Sequence, residues 1–441
     1  MYPQNLQTST DLSNRENNES PSKAFPVNFS RITILFFLVI AALLGLQSCQ
    51  DNNFVGSSFI PDSRNVVVDT IFITDFQPTN LKSFTGNLTR FTAGRYRDEL
   101  FGTIESTAYV KPGLISDTVA ISNAQEFYLR LRATDFYGDT TAVASLELHL
   151  IDNRWRASLI NADTTLSTSL FQEGAVPFSV SMEQDSVDVR LPQSWVDRYI
   201  DIFESDNRQE RLLNEEFGFA IKPVNGFDQL LVGFRTGPLG ARLIVKDLDL
   251  GGGTLLDENG EEEEENTDIM IPLRGWAFNV LQTNTPAQLN EVLPVYNTFQ
   301  NAVRIGVDLK EYLNKNVTRV ELVMYEDSLA LNSTLPTHHK RLRTDRLALY
   351  QLSDFDRDFL VIATPTFATE NRGNQDRSFR VSLTDTIRRL MIGGILSGDF
   401  YLTSQFNNGL LFPYALVHPE NDQQIDRRPK LIITYLKAEV N

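Results

Sequence analysis

Apolar and polar positions alternate with a period of two through much of this chain, and that alternation predicts strands. FYLRLRA (127–133) sets Phe127, Leu129 and Leu131 on one face and Tyr128, Arg130 and Arg132 on the other. SLELHLI (145–151) sets Leu146, Leu148 and Leu150 against Glu147 and His149. RVELVMYED (319–327) sets Val320, Leu322 and Met324 against Glu321, Val323 and Tyr325, and KLIITYL (430–436) is a further strand. Such strands form sheets with one face in a core and one in water.

Two stretches switch to helical spacing. VDVRLPQSWVDRYIDIF (187–203) runs from a strand into a short helix with Trp195, Tyr199 and Phe203 on one side. FRVSLTDTIRRLMIGG (379–394) does the same: Thr384 or Asp385 can cap the start, Ile387, Leu390 and Met391 form the stripe, and Gly393-Gly394 stop it. Each is followed by a Gly- or Asn-bearing strand region and then by a basic-aliphatic strand, ARLIVKD (241–247) or PKLIITY (429–435). This faint internal repeat predicts a mostly β fold of two antiparallel β-sandwich, jelly-roll-like domains with a short helix in each.

The pattern changes most sharply at Ile32–Leu46, about 15 apolar residues after Arg31, followed by Gln47-Ser48 and the only cysteine, Cys49. The run is short of the ~20 residues that span a bilayer. A basic residue, an apolar core and a small residue before the cut describe a secretory signal. Leu46 and Ser48 directly before Cys49 make it a lipobox, so Cys49 is the expected lipidation site, and acyl chains worth ~0.8 kcal/mol per buried CH₂ would hold the protein at a membrane. The predicted plan is a signal peptide with a long n-region at 1–48, a lipidated tether at 49–63 and sandwich domains at 64–250 and 268–441. Between the domains, 251–267 carries Gly251-Gly252-Gly253 and Glu261 to Glu265, a stretch too charged to pack and read as a solvated linker. A calcium site is its functional alternative, but Asp257, Asn259 and Gly260 do not have EF-hand spacing.

Charge narrows the partners. The net charge is −17, and 1–48 holds three basic residues (Arg15, Lys23, Arg31) and three acidic ones (Asp11, Glu16, Glu19), so cleavage leaves that balance unchanged. An acidic body argues against nucleic acid and against docking on anionic lipid through a basic patch. With Cys49 lipidated, no thiol is left for disulfides, metal or nucleophilic chemistry, and the 29 Phe and 13 Tyr must supply the cores.

Catalytic patterns are missing. His149 lies on a polar strand face, His338-His339 are adjacent and point apart, and His418 sits in a loop with Pro419-Glu420. No HExxH, GxSxG or phosphate-binding glycine loop occurs, and nothing singles out a carboxylate pair for glycoside hydrolysis. Of the tryptophans, Trp195 and Trp276 read as core. Trp155, between Arg154 and Arg156, could either stack on a sugar or pack beneath a loop. The expectation is a protein that is not an enzyme, with no catalytic residue, metal or cofactor.

Three segments, GRYRDELFGTIESTAYV (94–110), EFYLRLRATDFYGDTTAVASLELHLID (126–152) and RRPKLIITYLK (427–437), resemble the DUF4270-like lipoproteins of Bacteroidota, a family known only as a domain of unknown function. Tyr137-Gly138-Asp139-Thr140 is the most telling part. The resemblance implies an outer-membrane lipoprotein with no assigned activity. In the same lineage, triplets of Asp, Ser or Thr and a third aliphatic residue or Thr look like O-glycosylation sequons. They would modify Thr70, Thr118, Thr140, Thr164, Ser186 and Ser328, while Asp385-Thr386 reads as a helix cap; turn chemistry is the alternative for all. The functional expectation is a lipid-anchored outer-membrane protein, on either face of that membrane, that binds or assembles with an envelope protein or glycan. A glycan-binding surface lipoprotein using Trp155 and a fimbrillin-like adhesin subunit with an exchangeable terminal strand (429–441) are the alternatives.

Overall fold

The computed structural model describes residues 66–80, 83–113, 126–246, 268–297, 301–351, 377–395, 397–404, 408–411 and 413–437, together with the backbone of Leu255–Leu256, Glu262–Glu263 and Thr366–Glu370. The signal peptide, Cys49, the tether and Thr118 lie outside the described residues.

Strands dominate, and every pairing is antiparallel, as the alternation predicts. One sheet of nine strands runs in the order Val66–Phe72, Lys430–Leu436, Asn316–Tyr325, Ser378–Ser382, Thr366–Glu370, Arg346–Tyr350, Ser397–Thr403, Asn301–Asp308 and Phe76–Asn80. A second orders Val176–Val180, Ala144–Ile151, Phe219–Pro223, Ala108–Pro112, Ile269–Phe278, Arg242–Lys246, Glu126–Leu131 and Val187–Arg190, with Thr168–Ser169 added beside Ala144–Ile151. A third orders Leu281–Thr283, Gly102–Ser106, Arg90–Asp98, Gln229–Arg235, Ala133–Asp139 and His339–Lys340. Val292–Val295 and Tyr414–Val417 form a separate pair.

The expected division at 251–267 does not separate the strand partners. Val66–Phe72 and Phe76–Asn80 form the two edges of the sheet built from the second half. In return, Ile269–Phe278, Leu281–Thr283 and His339–Lys340 complete sheets built from the first. Hydrogen bonding between strands is non-local, so a run of acidic residues does not by itself mark a domain boundary. Within it, Leu255–Leu256 pairs with Glu262–Glu263 as a two-residue ladder.

The cores follow the predicted faces. Phe127, Leu129, Leu131, Leu146, Leu148, Val320, Leu322 and Met324 are all buried. Val323 and Tyr325 are buried as well, against Val417, because the Tyr414–Val417 strand covers the face the alternation assigned to water. The helix Gln193–Glu204 turns Trp195, Tyr199 and Phe203 inward; Trp195 stacks on Tyr199 at 4.9 Å and both meet the edge of Phe127. The helix Thr384–Ile392 buries Ile387 and Leu390 and ends at Gly393 and Gly394, the latter at φ +70°. Neither Thr384 nor Asp385 caps it. The cap position is Leu383, and the Thr384 hydroxyl instead accepts from the Val320 amide at 3.0 Å, tying the helix to the neighbouring strand.

Two of the three segments that carry the family resemblance, 94–110 and 126–152, meet at one carboxylate. Asp98, 1% exposed, accepts from the amides of Leu100 (2.8 Å) and Phe101 (3.0 Å), from the Tyr137 hydroxyl (2.7 Å), and from Nε (2.7 Å) and Nη2 (2.6 Å) of Arg341. Arg341 lies 243 positions along the chain. Its remaining donors reach the carbonyls of Leu331 and Thr334, closing the C-terminal end of the helix Ser328–Ser333. Beside it, Gly138 at φ +124° leaves room for the Tyr96 ring: a Cβ there would sit 2.7 Å from Tyr96 Cδ2 and 2.3 Å from the Gln229 carbonyl.

Both side chains of the Asp98–Arg341 pair are nearly inaccessible, so removing one leaves the other charged in the interior. Asp98→Asn and Arg341→Met are each expected to cost about 3–5 kcal/mol in urea unfolding, with the double variant costing less than their sum. Losses below ~1 kcal/mol in both single variants would show that this pair does not fix the helix Ser328–Ser333 to the third sheet.

Candidate functional site

A cleft of about 570 Å³ opens beside the edge strand Phe76–Asn80. Its floor is one face of the nine-stranded sheet: Pro78 pairs with Val303, and Phe76 is two residues along on the same side. Pro78 has no amide to donate and is tolerated because this strand is an edge. Opposite lie Leu289, from the 3-10 turn Ala287–Glu291, and Val292. Gln282, Asn290, His418 and Glu420 supply polar groups to the wall.

The polar groups are differently committed. Gln282 Nε2 donates to the Phe101 carbonyl (2.7 Å) and the Tyr296 hydroxyl (3.2 Å), and burial pushes the Tyr296 phenol up to about 12. His418 Nδ1 accepts from the Glu420 amide at 3.2 Å, which places the proton of the neutral ring on Nε2. Burial pushes the imidazole below its ordinary value, partly offset by the Glu420 carboxylate. The cleft therefore offers an apolar floor with a neutral N–H donor and a carboxylate at its wall. That is the composition of a binding site for a largely apolar or amphiphilic group.

The other histidines serve the fold. His339 packs its ring against Tyr96 at 5.8 Å and directs Nδ1 to the Thr337 carbonyl. His338 adopts φ +66°, and its carbonyl accepts from the amide and hydroxyl of Thr140. His149 lies 2.9 Å from a Glu147 oxygen. The buried carboxylates are individually engaged. Asp98 is described above. Glu216 accepts from Trp195 Nε1, Arg198 Nη2 and the Gly218 amide. Glu326 accepts from Ser328, Tyr414 and Arg377. Burial raises Glu216, against the pull of Arg198; for Glu326 burial acts in the same sense but is outweighed by its three hydrogen bonds, and its carboxyl stays below the ordinary range. No group of three or more His, Cys, Asp or Glu is placed to hold a metal among the described residues.

Trp155 is not available for stacking on a sugar. It is 6% exposed, its indole N–H donates to the Phe217 carbonyl at 2.8 Å, the Tyr109 ring meets it edge-on, and Lys111 Nζ covers the ring at 4.4 Å. The flanking Arg154 and Arg156 are exposed while Trp155 and Ala157 point inward, so the arginines mark only the outer face. Trp195 is buried and Trp276 half-buried, with its indole N–H on the Leu88 carbonyl.

The glycosylation candidates divide. Thr70 and Ser186 are exposed. Thr140 donates to the His338 carbonyl (2.6 Å), Thr164 accepts from the Asn161 amide (3.0 Å), and Ser328 donates to Glu326 (2.6 Å). In these three the hydroxyl is engaged in local turn or cap chemistry. The aspartate of one such triplet, Asp327, caps the helix Ser328–Ser333 through the Ala330 amide.

No family model matches this chain, so the resemblance to the DUF4270-like lipoproteins rests on the three segments alone, and no curated protein matches it. Among solved structures, the chain is 8% identical to a "putative secreted protein" from Parabacteroides distasonis, covering 85% of this chain and 89% of that one at a TM-score of 0.17. It is 11% identical to a structure of the Macrobrachium rosenbergii nodavirus, covering 89% and 95% at a TM-score of 0.13. Scores this low carry no argument about fold or function.

Two outcomes follow from these environments. Because the His418 ring binds protons less readily folded than unfolded, the wild type should lose stability as pH falls from 6.5 through the lowered value, relative to His418→Gln. Urea midpoints at neutral and acid pH check this, and parallel changes in the two proteins would refute it. Trp155→Ala should cost about 3–5 kcal/mol in the same assay, as for any buried tryptophan; a change within ~0.5 kcal/mol would mean the ring is a surface group.

Proposed function

We propose that this protein is a non-enzymatic lipoprotein of the bacterial outer membrane, anchored through acylated Cys49, whose β-rich body binds an envelope partner through the cleft between Phe76, Val303 and Leu289. The cleft carries the binding half of this reading: it is apolar, open, and equipped with a few polar groups from separate segments. The anchor is supported by the lipobox, and no helix among the described residues is long and apolar enough to cross a membrane. The partner presents an apolar or amphiphilic group, protein or glycoconjugate, and the chain itself performs no covalent chemistry on it.

A glycan-binding role through Trp155 loses its support with the burial of that ring. The fimbrillin-like reading needs a terminal strand free to exchange. Lys430–Leu436 does not suit that role: it is hydrogen-bonded on both sides, to Val66–Phe72 and to Asn316–Tyr325, and buries Leu431 and Ile433.

Metabolic labelling with a palmitate analogue should mark the wild type and not Cys49→Ala, and the variant should leave the outer-membrane fraction. Asn290→Trp, on the exposed wall of the cleft, should reduce recovery of the co-purifying envelope component while leaving the urea midpoint unchanged. Labelling of Cys49→Ala, or full recovery with Asn290→Trp, would sink the corresponding half of the proposal.

A further inference from the structure

Strand register brings three parts of the chain to one end of the nine-stranded sheet. Val66, Leu436 and Asn316 stand side by side there in neighbouring strands. Ser378–Ser382 runs antiparallel to Asn316–Tyr325, from Tyr325 toward Glu321, and so heads for the same end. The helix Thr384–Ile392 continues in that direction. Its first residue takes the Val320 amide, and four residues on, Arg388 Nε donates to the Val317 carbonyl at 3.0 Å. After Gly393 and Gly394 the chain returns as Ser397–Thr403, whose first residue pairs with Asp308, the last of Asn301–Asp308. From Asp308 the chain reaches Asn316 through 309–315. The start of Val66–Phe72, the turn after the helix and the crossing at 309–315 therefore share this end.

These parts present apolar side chains to solvent. Ile392 is 87% exposed, the most of any large apolar side chain among the described residues, and Ile395, Leu313 and Val66 are exposed as well. A Cβ added to Gly394 would meet nothing within 4 Å, so the turn stands clear of the body. Its sequence, LMIGGILSG over 390–398, carries no charge in a chain of which 22% is charged. Nor is the surrounding charge that of the whole chain. Lys310 is paired with Asp308 (3.3 Å) and Lys315 with Asp69 (3.9 Å), which leaves exposed Arg388, Arg389 and Lys437 against Glu311 and Asp385. Stopping the helix requires the glycines, and seating it requires Ile387 and Leu390. Neither requires isoleucine at 392 or 395. One exposed isoleucine is ordinary. Two on an uncharged turn flanked by arginines are the composition of a membrane-interface surface.

The lipid anchor selects a bilayer as the occupant. Val66 lies 17 positions after Cys49, at most ~60 Å of fully extended chain, so the acyl chains pull on this end of the sheet. A contact tethered in this way is intramolecular and needs little affinity of its own. We propose that Ile392, Ile395, Leu313 and Val66 form a membrane-facing end that settles into the lipid headgroup region and orients the body. This inference rests on the lipid anchor proposed above and deepens it from a tether to a docked geometry. It also bears on the cleft. Val303 stands five residues before Asp308, about 16 Å along the strand, so docking holds the cleft clear of the bilayer and open to an envelope partner.

The test places the acylated full-length protein in vesicles of phosphatidylethanolamine and phosphatidylglycerol, with an environment-sensitive NBD probe on one introduced thiol. Cys49 is the only native cysteine, and its acylated sulfur does not react. The labelled variants are Ile392→Cys and Leu329→Cys; Leu329 is 67% exposed and lies past Tyr325, at the opposite end of Asn316–Tyr325. Doxyl-labelled lipid should quench the probe at 392 about fivefold or more strongly than the probe at 329, because an interfacial surface sits ~5–10 Å into the headgroup boundary. Ile392→Asp combined with Ile395→Asp should abolish quenching of a probe on Leu313→Cys. Both isoleucines are exposed, so the urea midpoint should stay unchanged. Flotation with the vesicles but equal quenching at 392 and 329 would overturn the docked end and leave the anchor standing. A signal at 392 that follows protein density and not doxyl lipid would give this face to a second copy, and overturn it too. Labelling of the unsubstituted protein at Cys49, without flotation, would overturn the anchor and this inference together.

Discussion

The carboxylate of Asp98 is the constraint that seats the helix Ser328–Ser333 and the strand His339–Lys340, both from the second half of the chain, on the third sheet. It gathers two backbone amides from its own turn, a phenol from the strand Ala133–Asp139 and the guanidinium of Arg341. A buried pair of this kind gains little net stability over an apolar substitute, since desolvation offsets most of the Coulombic attraction. What it supplies is discrimination: a packing that separates Asp98 from Arg341 leaves two uncompensated charges in the interior. Arg341 also closes the helix Ser328–Ser333, whose first residue, Ser328, donates its hydroxyl to the buried Glu326.

The exchange of strands between the halves has the same logic. The chain contributes the two edges of the nine-stranded sheet first, then builds the sheets around Arg90–Asp98, and only later fills the sheet between those edges. The cleft exists because of this order. Its floor joins Phe76 and Pro78 to Val303 across more than two hundred positions, and its wall brings in His418 from a loop later still. Among the described residues the edge strand Phe76–Asn80 has no second sheet partner, and Pro78 withholds one of the amides that would template another strand.

The period-two and period-3.6 patterns made the elements legible. Phe127, Leu129 and Leu131, or Trp195, Tyr199 and Phe203, face the core because a strand or helix with that spacing has no other way to bury them. Partner choice was not legible, since a strand's pattern states which face is apolar and not which edge it joins. The domain boundary failed for that reason, and the dry second face of Val323 and Tyr325 was hidden for the same one. Trp155 stayed ambiguous in the sequence because its arginine neighbours advertise a surface, and it lies in irregular chain after a strand, where alternation gives no guide to the side the indole takes.

The single cysteine ties these features together. With no disulfide available, long-range cross-links must be non-covalent, and this fold makes them from arginine and buried carboxylate. Asp98 takes Arg341, Glu326 takes Arg377, and Glu216 takes Arg198. Such pairs are screened far less by salt than surface pairs. In each, the guanidinium or its carboxylate also binds groups at a helix end or turn: the Leu331 and Thr334 carbonyls, the hydroxyl of Ser328 at the start of its helix, the Gly218 amide. In all three the carboxylate's charge is matched by one arginine and its acceptor capacity by neutral donors.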